Sequence, residues 1–218
     1  FDFALSKIYC KVLEMEDYND KGAKMNYRKQ LVDAGLKMYK SSLVAGTSGN
    51  ISIKENDDSF YITPSSMSYD QIREEDIVRI HKDGSCYDKG QKPSSEWSLH
   101  LAIYQAYDKY EAIVHTHSTI ATAFAVARKD IPLILIEMKP FLGGPIKVSP
   151  FARAGSKELG ELVIPYLDEV NSTLLANHGA ISCGKDLDEA FLAAEYVEDA
   201  AKIYYHALQI GDPVIIEE

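Results

Sequence analysis

The chain has 218 residues, 46% of them hydrophobic, enough for one α/β domain with a sizeable core. Its 23 Lys and Arg against 33 Asp and Glu leave a formal charge of −10, which argues against nucleic acid as a partner. The cysteines Cys10, Cys86 and Cys183 are isolated and never spaced C-x-x-C, which argues against a disulfide framework or a thiolate zinc site.

The first residues, "FDFALSKIYCKVLEMEDYND", carry no basic stretch followed by an apolar one, so no signal peptide is expected. No apolar run reaches the ~20 residues of a membrane helix. The expectation is a cytoplasmic protein without a membrane partner. Residues 1–24 read as an N-terminal extension and 25–218 as one domain. Residues 26–42 hold Leu31, Val32, Leu36 and Met38 at helical spacing, and the helix should stop where Gly46 and Gly49 begin a loop. "ISI", "FYIT" and "DIVRI" predict short strands. A helix is predicted over 94–107, with Leu99, Ile103 and Ala106 on its core side. "EAIVHTHS" predicts a buried strand leading into the helix "TIATAFAVA". "PIKVS" is a short strand, and the helix "SKELGELVIPYL" should end at Pro165. "STLLANHG" and "AISCG" predict two strand segments meeting at a Gly turn, and 187–210 a long helix starting near Lys185 or Asp186. Helices alternate with strands, but strands also come in adjacent pairs, so a mixed sheet with helices packed on it is expected.

"VHTHS" is the most informative stretch. Side chains alternate along a strand, so His115 and His117 share a face and can reach one divalent ion. A tetrahedral catalytic site wants a third protein ligand, and His178 in "LLANHGA" is the best candidate. His81, His100 and His206 sit beside charged or helix-surface residues and look ordinary. Nitrogen-only ligation suits Zn²⁺, ahead of Mn²⁺, Fe²⁺ or Co²⁺.

Three segments combine small residues with hydroxyls: "GTSGN" (46–50), "TPSSM" (63–67) and "PSSE" (93–96). Each alone is an ordinary turn or helix cap. Together they fit a small phosphate site, because Gly turns backbone N–H groups toward a ligand and Ser or Thr adds donors. "PSSE" also precedes a helix, whose N-terminus favours an anion. There is no Walker A loop and no strand–G-x-G-x-x-G–helix unit, so a dinucleotide cofactor has no support. Glu96, at the end of "PSSE", is either a first-turn acid or a catalytic carboxylate.

"GTSGNIS", "TPSSM", "KPSSEWSLH", "VHTHS" and "LLANHG", in this order, resemble the class II aldolase/adducin family, in particular its zinc-dependent sugar-phosphate aldolases. The resemblance runs from about residue 27 to residue 213. It implies a three-layer α/β/α sandwich with a mixed, mainly antiparallel sheet, assembled as a homotetramer with sites at subunit interfaces. It implies one Zn²⁺ per subunit on His115, His117 and His178, with Glu96 as acid/base and as a metal ligand when substrate is absent. It implies phosphate binding by Gly49, Asn50, Ser65, Ser94 and Ser95, with Thr47 close by, and Ser66 where a familiar aldolase has Gly. The implied reaction cleaves a ketose 1-phosphate, such as L-fuculose 1-phosphate, into dihydroxyacetone phosphate and an aldehyde such as L-lactaldehyde.

That chemistry needs these residue types. A divalent ion stabilises the enediolate left by C–C cleavage, and a carboxylate within reach moves the proton. Family members with other reactions bound the reading. Ribulose-phosphate 4-epimerases resemble this chain but carry Asp at the Glu96 position, and methylthioribulose-phosphate dehydratases use a Glu in an "EM" context. Glu137-Met138 is such a dipeptide, and Glu137 is a candidate second acid/base, since "LILIEMKPF" has no tyrosine for that role. A non-catalytic adducin-like scaffold would have no need of three metal-spaced histidines plus Glu96.

Overall fold

The computed structural model describes residues 26–86 and 92–217, and the expected extension over 1–24 lies outside the described residues. Helix α1 (Tyr27–Lys40) opens on Asn26, whose side chain accepts from the Lys29 N–H, and buries Tyr27, Leu31, Ala34, Gly35 and Met38. Val32 and Leu36 are only partly covered, so the buried stripe is rotated from the expected one toward Ala34 and Gly35.

Strands β1 (Asn50–Asn56), β2 (Ser59–Ile62) and β3 (Val78–His81) form a meander, and a 3₁₀ turn over Glu74–Asp76 replaces the predicted start of the third strand. Helix α2 (Trp97–Ala106) begins three residues later than predicted, because residues 93–95 are held in extended and turn conformations by the loop beside them. Its Leu99 and Ile103 are fully buried as expected, whereas Ala106 is exposed. Strand β4 (Ala112–Thr116) is followed by α3 (Thr119–Ala127), the short helix α4 (Met138–Leu142) and β5 (Val148–Ser149). Helix α5 (Lys157–Val163) gives way to a 3₁₀ turn containing Pro165, which has no N–H to continue it. The hairpin β6 (Ser172–Leu175) and β7 (Gly179–Gly184) precedes α6 (Leu187–Ile210), whose N-cap is Asp186, accepting from the Glu189 N–H.

The seven strands of the described residues lie in the order β3-β2-β1-β4-β7-β6-β5, antiparallel throughout except for the parallel β5–β6 pair. This is the mixed, mainly antiparallel sheet that was expected. Period-two alternation gives β4, β6, β7 and the first half of β1 two buried faces. Ile51, Ile53, Ala112 and Val114 face α1 and the start of α6, while Phe60, Ile62, Ile113, Ile181 and Cys183 pack on the side of α2 and α5. A third cluster joins α3, α4 and the rest of α6 to the β6–β7 hairpin. Each large aliphatic side chain so buried contributes about 1.5–3 kcal/mol. Strand β4 sits at the centre of the order, and its pleat sends His115 to the α2 face. No helix among the described residues is long and apolar enough to cross a membrane.

Candidate metal centre and anion loops

Both neighbours of β4 contribute to the site. Asn50 of β1 lies opposite His115, and Thr116 lies opposite Ala180 of β7. His117 falls just past the end of β4, its N–H donating to Leu43 O at 3.0 Å, so the predicted strand runs two residues too far at its C-terminal end. His178 occupies the turn between β6 and β7 rather than a strand end. Its predecessor Asn177 adopts φ 55°, and the Asn177 side-chain oxygen accepts from Arg128 at the end of α3.

Gly179 follows, and a Cβ there would stand 2.2 Å from the Thr116 carbonyl oxygen and 3.1 Å from the His117 ring. Gly49, at φ 75°, is pressed on the other side of β4, where a Cβ would lie 2.7 Å from His115 O. These two glycines let the neighbouring chains close on the histidine strand. Gly179→Ala is therefore expected to lower stability by about 1–3 kcal/mol and to loosen the site, read from urea unfolding and from metal content after dialysis.

The three imidazoles meet at centroid separations of 4.8, 4.8 and 4.9 Å, each roughly perpendicular to the others. Their Nε2 atoms converge on the Glu96 carboxylate, with His115 Nε2 at 3.0 Å from Oε2 and His178 Nε2 at 3.3 Å from Oε1. His115 Nε2 and His117 Nε2 stand 3.0 Å apart. One ligand atom from each of the four residues lies within 4.8 Å of the others.

His115 is fully buried and its Nδ1–H donates to the Ala180 carbonyl at 2.9 Å, which orients the ring and turns Nε2 toward the cluster. Burial alone would depress His115, but the adjacent Glu96 charge and hydrogen bond, with the Ala180 carbonyl, outweigh it and raise its pKa. Burial, reinforced by His115 and His178, pushes His117 down to about 3. Burial and His115 push His178 down to about 4. Glu96 is held well below the carboxylate range: burial opposes ionisation, but His115, His178 and the Asn50 amide prevail.

Two deprotonated imidazoles, a third poised against a carboxylate, and a buried Glu96 Oε1 with no hydrogen-bond partner among the described residues make a donor set that fits a divalent cation. Glu137 is not part of it. It stands half-exposed at the N-terminal end of α4.

The three hydroxyl-rich loops are stapled to one another. Pro64 and Pro93 form an antiparallel bridge, with Ser65 N–H donating to Lys92 O at 2.9 Å and Ser94 N–H to Thr63 O at 3.0 Å. Tyr69 joins the second loop to the first, its hydroxyl donating toward Ser48 O at 3.0 Å and Gly49 O at 2.8 Å. Asn50 Nδ2 then reaches Glu96 Oε2 at 3.1 Å, so this residue, expected at the phosphate, touches the carboxylate. Ser94 is buried, its Oγ accepting from the Glu96 N–H at 3.3 Å. Ser95, Ser66 and Thr47 are exposed, and Ser65 is half-buried. A Cβ on Gly155 would come within 2.6 Å of Ser95 O, so that glycine permits the loop after β5 to pack on the "PSSE" turn.

Ser66 adopts φ 60°, the left-handed conformation a glycine adopts without strain. Ser66→Gly is expected to raise stability by about 1 kcal/mol, read from urea unfolding.

Two residues escaped the sequence reading. Tyr69 gave no signal, since its partners are backbone carbonyls. His100 looked like a helix-surface residue but is completely buried, its Nδ1 2.6 Å from Ser52 Oγ. The available signal was its i+4 spacing from Glu96, which puts both on one helix face.

The chain has relatives among known proteins. Residues 29–205 match the family model of the class II aldolase and adducin N-terminal domain. The chain is 37% identical over 186 residues to an L-fuculose phosphate aldolase of Escherichia coli (strain K12), covering 85% of this chain and 86% of that one. It is 34% identical over 192 residues to a 5-deoxy-D-ribulose 1-phosphate aldolase of Bacillus thuringiensis serovar kurstaki, covering 88% and 90%. A solved L-fuculose 1-phosphate aldolase superposes with a TM-score of 0.85 at 34% identity, covering 90% of this chain and 92% of that one. The chain belongs to the class II aldolase and adducin family. Within it, the chain is an enzyme, an aldehyde-lyase of the metal-dependent class II type.

Proposed function

We propose that the protein is a zinc-dependent aldolase that reversibly cleaves a ketose 1-phosphate into dihydroxyacetone phosphate and an aldehyde. L-Fuculose 1-phosphate, giving L-lactaldehyde, is the favoured substrate, and 5-deoxyribulose 1-phosphate is the nearest variant, after the names of two relatives. The observation that carries this reading is the Glu96 carboxylate packed on three converging imidazole Nε2 atoms.

His115, His117 and His178 would hold the ion, with Glu96 as a fourth ligand until substrate arrives. When bound, Zn²⁺ supplies Lewis acidity toward the carbonyl and neighbouring hydroxyl oxygens of the ketose. Glu96 moves the proton at the carbon that was bonded to the aldehyde, a contribution of ~10²–10⁴-fold. Asn50 orients that carboxylate. Backbone N–H groups and hydroxyls of Thr47, Gly49, Ser65, Ser66, Ser94 and Ser95 bind the phosphate, so that binding energy remote from the reacting bond positions it.

Exposed Val126, Ile136, Phe141 and Phe151 support assembly, here proposed as a cytoplasmic homotetramer with the site completed at subunit boundaries. Glu137, next to Ile136, would then serve a neighbouring subunit's site as second acid/base.

The test is incubation of metal-analysed protein with dihydroxyacetone phosphate in D₂O, followed by NMR with and without chelator. Chelator-sensitive, stereospecific loss of one C3 proton is expected, after which aldehydes are screened. Absence of exchange with one metal bound per chain would transfer the reading to a dehydratase, epimerase or decarboxylase of the same family.

A further inference from the structure

Glu96 stands at the N-cap of α2 with no side-chain capping bond of its own, so its place depends on how α2 is seated against the sheet. The seat is polar. On β1, Asn50 and Ser52 share a face, and on α2, Glu96, His100 and Tyr104 recur every fourth residue. Asn50 Nδ2 meets Glu96 at 3.1 Å, and Ser52 Oγ meets both His100 Nδ1 at 2.6 Å and the Tyr104 hydroxyl at 2.7 Å.

Ser52 and His100 are 0% exposed and Tyr104 is 6% exposed. His100 Nε2 is buried with no hydrogen-bond partner among the described residues. An apolar side chain at position 100 would fill the same space without leaving a nitrogen unpaired, so packing alone does not account for a histidine there. A hydrogen-bonded triad does what apolar contact cannot. Slippage of α2 by one residue, ~1.5 Å along its axis, would break both Ser52 bonds, whereas aliphatic packing tolerates such sliding.

We propose that Ser52, His100 and Tyr104 form a buried registration seam that sets α2 on β1 and so fixes the Glu96 carboxylate against the histidine cluster. His100 is a positioning residue in it. It touches neither metal nor substrate and acts through the helix that carries Glu96. The kinetic half of the test rests on the aldolase reading above; the spectroscopic half does not.

The experiment compares wild type, His100→Leu and His100→Asn, whose side-chain amide stands roughly where Nδ1 stands, each loaded with Zn²⁺ for kinetics and with Co²⁺ for visible absorption. His100→Leu is expected to retain metal content and the KM for the ketose phosphate while kcat falls ~10²-fold, the cost of roughly 1 Å of misplacement. Its Co²⁺ absorption bands should shift as the Glu96 carboxylate changes place. His100→Asn should restore the spectrum and most of kcat. An unshifted Co²⁺ spectrum in His100→Leu, or equal impairment of both variants, overturns the proposal. A purely structural role would lower the melting temperature of both variants and leave the spectrum alone. Should His100→Leu fail to fold, the Ser52→Ala/Tyr104→Phe double variant is read by the same criteria. Wild type that turns over no ketose phosphate defeats the aldolase reading, and the Co²⁺ spectra still decide the seam.

Discussion

Glu96→Gln is expected to keep its metal and lose ~10²–10⁴-fold in C3 proton exchange with dihydroxyacetone phosphate. The substitution is isosteric. The new side-chain oxygen still accepts from Asn50 Nδ2, 3.1 Å away in the parent, and the three imidazoles retain their convergence. What disappears is the carboxylate's basicity: Oε2, facing His115, becomes a weakly basic amide oxygen, and Oε1, facing His178, becomes an amide nitrogen. An amide cannot take a proton from carbon at neutral pH, so the loss falls on turnover and leaves substrate binding nearly unchanged. Solvent exchange followed by NMR measures it directly. Exchange at the wild-type rate would remove Glu96 from the chemistry and leave it as a ligand alone.

His117→Ala is expected to lose the ion. The remaining pair, His115 and His178, leaves two nitrogens and one carboxylate. Removing a partner one shell out from a metal costs 10–100-fold in affinity, so removing a ligand itself should cost at least ~100-fold. The variant should still fold, because His117 lies past the end of β4 and its N–H bond to Leu43 O belongs to the backbone. Metal analysis after dialysis decides it, with thermal melting of the metal-free protein as control. Unchanged stoichiometry would show that the ligand set is not these three histidines.

Much of this site was legible in the chain itself. His115-x-His117 on a predicted strand announces two side chains on one face, because strand periodicity is a local property of the backbone. Asp186 at the start of the long helix, and Pro165 as a helix terminator, are likewise decided by neighbours within four residues. Where the reading slipped, the cause was tertiary. Residues 93–95 follow the bridge to Pro64 rather than their own helix preference, and β4 stops at Thr116 because His117 turns to pair with Leu43. His100 was misjudged as surface because the strand that buries it, with Ser52 facing it, is 48 residues away.

The sequence by itself therefore determined the chemistry available: three imidazoles, one carboxylate, hydroxyl-rich loops and the family that arranges them in this order. Only the tertiary structure decided that Asn50 holds Glu96, that Tyr69 ties two loops together, and that a buried triad seats α2. The physical reason is range. Periodicity, capping and glycine turns are settled by a few adjacent residues. Hydrogen bonds that span 20 to 52 positions exist only once β1 has paired with β4 and α2 has packed over both.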